Sequence, residues 1–302
     1  MTFHSGEIAI QTQAGVREEA ERLCSFISNI IKPPAQEFLR TQQLAIASTV
    51  DVNGRVWASL LTGNPGFVQV LNEQTVQIYT TIFPKDPLHQ NLQNNTQLGI
   101  LVIALENRRR LRLNGKAEIQ PKGQIKLLIH QSFFNCPKYI QVRYLEIGIT
   151  ELLEQPEISI SQSLTEAQQD WITQADTFFI ASSHPESGAD ASHRGGNPGF
   201  VQILDSKKLV FPDYSGNNMF QTFGNLAINP NAGLLFLDFA KGHTLQLTGK
   251  AKVIWDVKRL NAFAGAQRLV AFDIEEVLET RNATPMRWRF GEYSPANPAF
   301  NP

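Results

Sequence analysis

The chain has 302 residues, 42% of them hydrophobic and 18% charged, with a formal net charge of −1. That length suggests about two globular domains, and so neutral a chain lacks the basic footprint that holds nucleic acid through its phosphates. No apolar run approaches the roughly 20 residues that span a bilayer, so no membrane partner is expected either.

Two cysteines, Cys24 and Cys136, form neither a disulfide framework nor a zinc-type spacing, and the scattered histidines form no metal-ligand pattern. The N-terminus lacks the basic start and apolar core of a signal peptide, so a reduced, cytoplasmic setting is expected.

In chain order, "VREEAERLCSFISNII" (16–31) places Val16, Ala20, Leu23, Ile27 and Ile30 on one helical stripe. "QLAIASTV" and "RVWASLLTG" read as strands flanking Asn53-Gly54, a type I′ hairpin signal. "GFVQVL" and "TVQIYTT" alternate around a polar turn, as strands do. Asp86-Pro87 then reads as an N-cap and N1 proline opening a short helix with Leu88 and Leu92 on one face. "LGILVIAL" and "RLRLNGKAEI" are further strands, and "GQIKLLIHQSFFNCP" (123–137) reads as an amphipathic helix closing the first unit.

A linker follows, with a helix whose Thr165 and Gln168 fit a capping box. The plan then repeats: "TFFIASS", "GFVQIL", "KLVFPD", a short helix near "MFQTFGNL", "AGLLFLDF" and "TLQLTGKAKVIW". About six short strands and one small helix per copy suggest a small antiparallel barrel.

The repetition is visible in the letters themselves. "GNPGFVQVL" (63–71) returns as "GNPGFVQIL" (196–204), "IAS" at 46–48 returns at 180–182, "LGILVI" answers "AGLLFL", and "RLRLNGKAEI" answers "TLQLTGKAKV". The outer matches lie 134 apart and the nonapeptide 133, which puts one residue of gap in the loop before the nonapeptide. Four matches in one order mark a duplicated domain, divided here as 1–150 and 151–302. The nonapeptide itself suits a turn and a strand entering the core, with no chemistry of its own.

"DASHRGGNPGFVQIL" (190–204), "DYSGNNMFQTFGNLAINPNAGLLFLDF" (213–239), "TLQLTGKA" (244–251) and "NCPKYIQVR" (135–143) together resemble the pyridoxamine 5′-phosphate oxidase-like FMN-binding split β-barrel proteins. The resemblance implies a mainly β fold with flanking helices: two tandem split β-barrels forming a pseudo-dimer within one chain, with a homodimer also open. It implies FMN in a cleft between barrels and an oxidoreductase whose flavin does the redox chemistry, so no side chain is assigned as acid, base or nucleophile.

Carried over residue by residue, the phosphate falls to Ser192, His193 and Arg194 before the "PGF" turn and to Asn217, Asn218 and Thr222 at the turn into the short helix. Asp213 and Tyr214 fall beside the isoalloxazine, Gln246 on a strand whose side chain meets the ring, and Arg287 and Trp288 near the site from the C-terminal "PMRWRF".

Relatives often carry arginine or lysine where this chain has Asn217-Asn218, so Arg194 becomes the main anchor. The first copy has "ASLLTG" (58–63) in place of "SHRGG" and so reads as a degenerate half, whose strands can still reach across the cleft. Arg110 and Arg112 share one strand face and suit a solvated hairpin edge or an anion contact better than a nucleic-acid patch.

The substrate-side residues of the true oxidases are not matched in full, so the substrate and electron donor stay open. Two other classes remain: a haem- or ligand-binding split barrel, in which His193 would matter more than Arg194, and a structural or regulatory pseudo-enzyme without cofactor.

Overall fold

The computed structural model describes residues 2–80, 85–146, 155–260 and 263–299. The expected boundary at 150/151 lies outside them. Three short helices open the chain: α1 (Ser5–Gln13), α2 (Arg17–Leu23) and α3 (Pro33–Leu39). The first barrel follows with β1 (Leu44–Val50), β2 (Val56–Thr62), β3 (Val68–Asn72), β4 (Thr75–Ile78), α4 (Pro87–Asn94), β5 (Gln97–Ala104), β6 (Arg109–Ile119) and β7 (Ile125–Asn135). The connection carries β8 (Arg143–Leu145), β9 (Glu157–Ser161) and α5 (Glu166–Gln174).

The second barrel runs through β10 (Thr177–His184), β11 (Gly188–Gly195), β12 (Gln202–Asp205), β13 (Lys208–Asp213), α6 (Gln221–Ile228), β14 (Asn231–Asp238), β15 (His243–Ile254), α7 (Val257–Leu260) and β16 (Arg268–Arg281). A last strand, β17 (Trp288–Phe290), pairs with β8. None of the described helices is long and apolar enough to cross a membrane.

The two sheets have one topology. The first is ordered β2-β1-β5-β6-β7-β4-β3 and the second β11-β10-β14-β15-β16-β13-β12, strand for equivalent strand. Both carry the same β-bulge, at Asn114/Gly115 and at Thr248/Gly249. The fold is thus two tandem split barrels, as the repeat implied.

Several local expectations need correction. Residues 125–135 form β7, not a helix: Ile125, Leu127 and Ile129 are buried in alternation with Lys126, Leu128 and His130, a period of two that pairing with β6 secures. Part of the expected linker is β9, an edge strand on β16. The Asn53-Gly54 turn is not type I′, since only Gly54 takes positive φ (79°), with Gly54 N donating to Asp51 O and Asp51 N to Arg55 O across a wider hairpin. The stripe from Val16 ends as a helix at Leu23 and turns through 24–26 before Ile27 becomes extended. The Asp86 cap and the Thr165–Gln168 capping box form as read.

The register also corrects the repeat. In β1–β5 pairing Ala47 lies opposite Ile100, whereas in β10–β14 it is Ile180 that lies opposite Leu234, the equivalent of Ile100. β1 and β10 therefore correspond at an offset of 133, and the two "IAS" strings are one residue out of step. The faces agree with the register: Ala45 and Ala47 enter the first core as Phe178 and Ile180 enter the second, while Ile46 and Phe179 face the other barrel. A one-residue slip exchanges those faces, so packing decides what string matching could not.

The extra residue of the second copy then lies between β13 and α6, in 214–219, opposite 81–85 of the first.

The barrels meet across a shared apolar layer that includes Ile46, Val56 and Leu101 of one and Phe179, Leu235 and Leu237 of the other. Two glycines set how closely they approach. A Cβ on Gly99 would strike the backbone of Ala189-Asp190, and one on Gly233 the backbone from Val56 to Ala58.

Helix α1 lies on α6 of the second barrel, where Gly6 crosses against Gly224. It buries Glu7 and Gln11 rather than an apolar stripe, and so gave no periodic signal. His4 stacks on His184 with centroids 4.0 Å apart and lies 3.6 Å from the Glu7 carboxyl. Burial, then His184, lowers His4 to about 4, while burial raises Glu7 to about 7.

On acidification His4 costs stability between its ordinary 6.5 and 4, because the unfolded chain takes a proton that the folded chain refuses. Glu7 acts in reverse, costing stability as pH rises from its ordinary 4.5 towards 7. Between 4.5 and 6.5 the two slopes oppose and cancel. A Glu7→Gln variant is therefore expected to lose melting temperature on acidification across that window more steeply than the parent, read by thermal denaturation at stepped pH.

Candidate functional site

Strand β11 carries Ser192, His193 and Arg194 to the seam between barrels, with Asp213 at the end of β13 and the 214–219 loop beside them. Gln221 and Thr222 open α6, and Arg268 opens β16. From the first barrel come Arg110 and Arg112 of β6, then Asn135, Cys136 and Tyr139 after β7. These residues line one cleft with about 780 Å³ of empty space, open solvent at its mouth included.

Eight of the eleven expected residues therefore converge: Ser192, His193, Arg194, Asp213, Tyr214, Asn217, Asn218 and Thr222. The cleft is cationic. Its four guanidiniums face two carboxylates: Arg112 Nη1 binds Asp190 at 3.0 Å, and Arg268 Nε lies 2.9 Å from Asp213. Among the described residues, that leaves Arg110 and Arg194 without a carboxylate partner.

Arg194 donates only long bonds, at 3.4 Å to Ser192 Oγ and to His193 O, and its buried Nε has no acceptor. Burial lowers the pKa of both cations, that of Arg110 to about 10, which marks the cost of leaving them uncompensated. Arg110 is aimed by Cys136 O and by Nδ1 of His193, at 2.9 and 3.1 Å. Asp213 is raised by burial despite the opposing pull of Arg194 and Arg268.

Backbone strain gathers at this cleft. Tyr139 (φ 66°), Asn218 (φ 58°) and Phe220 (φ 61°) adopt left-handed conformations that non-glycine residues avoid. The surroundings hold them there. Tyr139 Oη donates to Ser215 O, Asn218 Nδ2 donates to Glu19, and the Arg268 guanidinium lies 4.7 Å from the Phe220 ring centre.

Three expected residues lie elsewhere. Gln246 points into the pseudo-symmetric seam, donating to Ala58 O and to Asp86 Oδ2 at 2.9 and 3.2 Å. Each cleft takes its β-strand from the opposite barrel, so the residue equivalent to Gln246 in the cationic cleft is Arg112. Trp288 packs edge-on to Phe239 in the layer between barrels, and Arg287 donates to Thr284 O and Met286 O.

The second seam is closed by its own carboxyl. Half-buried Asp86 accepts from Ser59 Oγ (2.7 Å), Leu88 N (2.9 Å) and Gln246 Nε2 (3.2 Å). Ser59, Leu60 and Leu61 stand there in place of Ser192, His193 and Arg194.

Arg268 was missed by sequence reasoning. It reaches the cleft only because β16 pairs with β13 and sets it opposite Asp213, a long-range register that no local motif announces.

The architecture defines a tandem split-barrel protein with one arginine-lined cleft shared between its barrels. The model of the pyridoxamine 5′-phosphate oxidase family matches it twice, over residues 31–133 and 164–286, and the chain belongs to that family.

Among solved structures it is similar to HupZ of Group A Streptococcus (13% identity, 37% of this chain and 90% of that one, TM-score 0.31). It is also similar to an FAD-binding protein of Mycobacterium smegmatis (13% identity, 40% and 98%, TM-score 0.28). A third likeness is to a protein of Clostridium acetobutylicum related to general stress protein 26 (12% identity, 41% and 92%, TM-score 0.29). No curated protein matches the chain.

Proposed function

We propose that this cleft binds flavin mononucleotide and that the protein is an FMN-dependent oxidoreductase. The observation that carries the reading is Arg194: a buried guanidinium beside Arg110, with an orphaned Nε and no carboxylate of its own among the described residues. A phosphate dianion supplies the missing charge and acceptors. Arg194, Ser192 and Arg110 would hold it, with Thr222 and the start of α6 beside them. Tyr214, Tyr139 and Asn217 line the part of the cleft left for the ring.

Bound there, the flavin supplies hydride or electron transfer, and the chain's own residues fix its position and field. The four guanidiniums favour negative charge in the cleft, and Tyr139 pins the 214–219 loop from the first barrel's side. The haem alternative would lean on His193. Its Nδ1 is engaged by Arg110 at 3.1 Å, and its Nε2, though without a hydrogen-bond partner, is buried in a residue only 2% exposed, which supports the flavin reading over the haem one.

The visible spectrum of the purified protein, followed by release of any chromophore, tests the reading. Flavin bands and released FMN are expected. A Soret band, or a colourless protein that rejects added FMN, would contradict it.

A further inference from the structure

Beside the cleft lies a second chamber that the flavin reading does not use. It encloses about 880 Å³ of empty space, open solvent at its mouth included. Leu23, Phe26, Ile30, Phe133, Phe134 and Met219 form its apolar walls, and among the described residues no acidic side chain lines it. Phe26 is 64% and Phe134 37% exposed, so the aromatic lining opens to solvent at the mouth.

Cys136 and Asn217 line both spaces, so the chamber adjoins the cleft directly. Phe133 marks the boundary, with the Arg112 guanidinium 5.6 Å from its ring centre. The one charged residue in the chamber's lining is Lys32, exposed and without an ion-pair partner among the described residues.

We infer that this chamber is the co-substrate site, and that it takes a small planar aromatic molecule bearing a single anionic group. The aromatic body would lie among Phe26, Phe133, Phe134 and Met219, with its inner edge at Cys136 and Asn217 facing the cleft. The anion would lie at Lys32. Apolar walls favour an aromatic body over a sugar or a polyphosphate, and Lys32, with no ion pair of its own among the described residues, favours a single anionic group at the lining. That the bound molecule is a co-substrate rests on the flavin reading; the binding itself does not.

The test is an emission titration of the full chain with 8-anilinonaphthalene-1-sulfonate, an aromatic monoanion. One site per chain is expected. Phe26→Ser is expected to weaken binding roughly fivefold or more, as loss of an aromatic anchor does. Lys32→Gln is expected to weaken it as well. Both residues are exposed, so the fold is expected to persist, and circular dichroism checks this.

Arg194→Ala is expected to leave this titration unchanged while lowering FMN affinity, which separates failure of either reading. Saturating FMN is expected to leave the dye bound. Displacement of the dye by FMN would make the chamber part of the flavin's own pocket and overturn the inference. Binding indifferent to Phe26→Ser and Lys32→Gln would overturn it too.

Discussion

Replacing Arg194 with alanine is expected to raise the FMN dissociation constant about 10–100-fold, read by quenching of flavin emission on titration into apoprotein. A charge-assisted hydrogen bond to an ionised group contributes about 1.5–3 kcal/mol, and each 1.4 kcal/mol is a factor of ten. Arg194 is well placed to contribute at the upper end, since its guanidinium lies against Phe223 at 5.3 Å and makes no bond in the cleft shorter than 3.4 Å. The same substitution is expected to change stability little, because relief of the desolvated cation is opposed by loss of its attraction to Asp213 and Asp190. Unchanged FMN affinity would refute the phosphate assignment.

Arg112→Met is expected to act mainly on the fold. Arg112 is buried between the barrels, bonded to both oxygens of Asp190, to Ser192 Oγ at 2.8 Å and to Gln221 Oε1 at 3.2 Å. Removing it leaves Asp190 as a buried carboxylate held by Asn114 at 3.1 Å. Breaking one side of a buried pair costs about 3–5 kcal/mol, so chemical denaturation of the variant is expected to show a loss of about 3 kcal/mol or more. Adding Asp190→Asn, which removes the stranded charge, is expected to recover part of that loss. A double variant no more stable than the single one would place the cost in lost packing instead.

The seam between barrels shows what a linear reading can and cannot reach. Duplication was visible because turn residues and strand patterns survive as strings, and Arg194 was visible because it sits two residues before the repeated nonapeptide that begins at Gly196. The offset was misplaced at "IAS" because Ile, Ala and Ser suit either face of a strand buried on both sides. Only the partners Ile100 and Leu234 decide which face is which.

Residues 125–135 misled for a related reason: Leu128 is exposed, so a continuous run of apolar letters hid a period of two. Gln246 was assigned to the wrong seam because the sequence does not say that each cleft borrows its strand from the other barrel. Arg268 and the Asp86 closure depend on contacts far apart in the chain, and local spacing carries no trace of either.

The two seams differ by one residue in the loop before the helix and by the exchange of Ser-His-Arg for Ser-Leu-Leu. The longer loop, 214–219, lines the open cleft, while Asp86 occupies the corresponding helix entry on the other side. The central claim is thus one flavin per chain, in the cleft that Arg194 lines. Titration of the apoprotein with FMN under stoichiometric conditions, followed by equilibrium dialysis, counts the sites. One equivalent bound per chain is predicted. Two would show that Asp86 does not close the second seam, and none would contradict the cofactor reading itself.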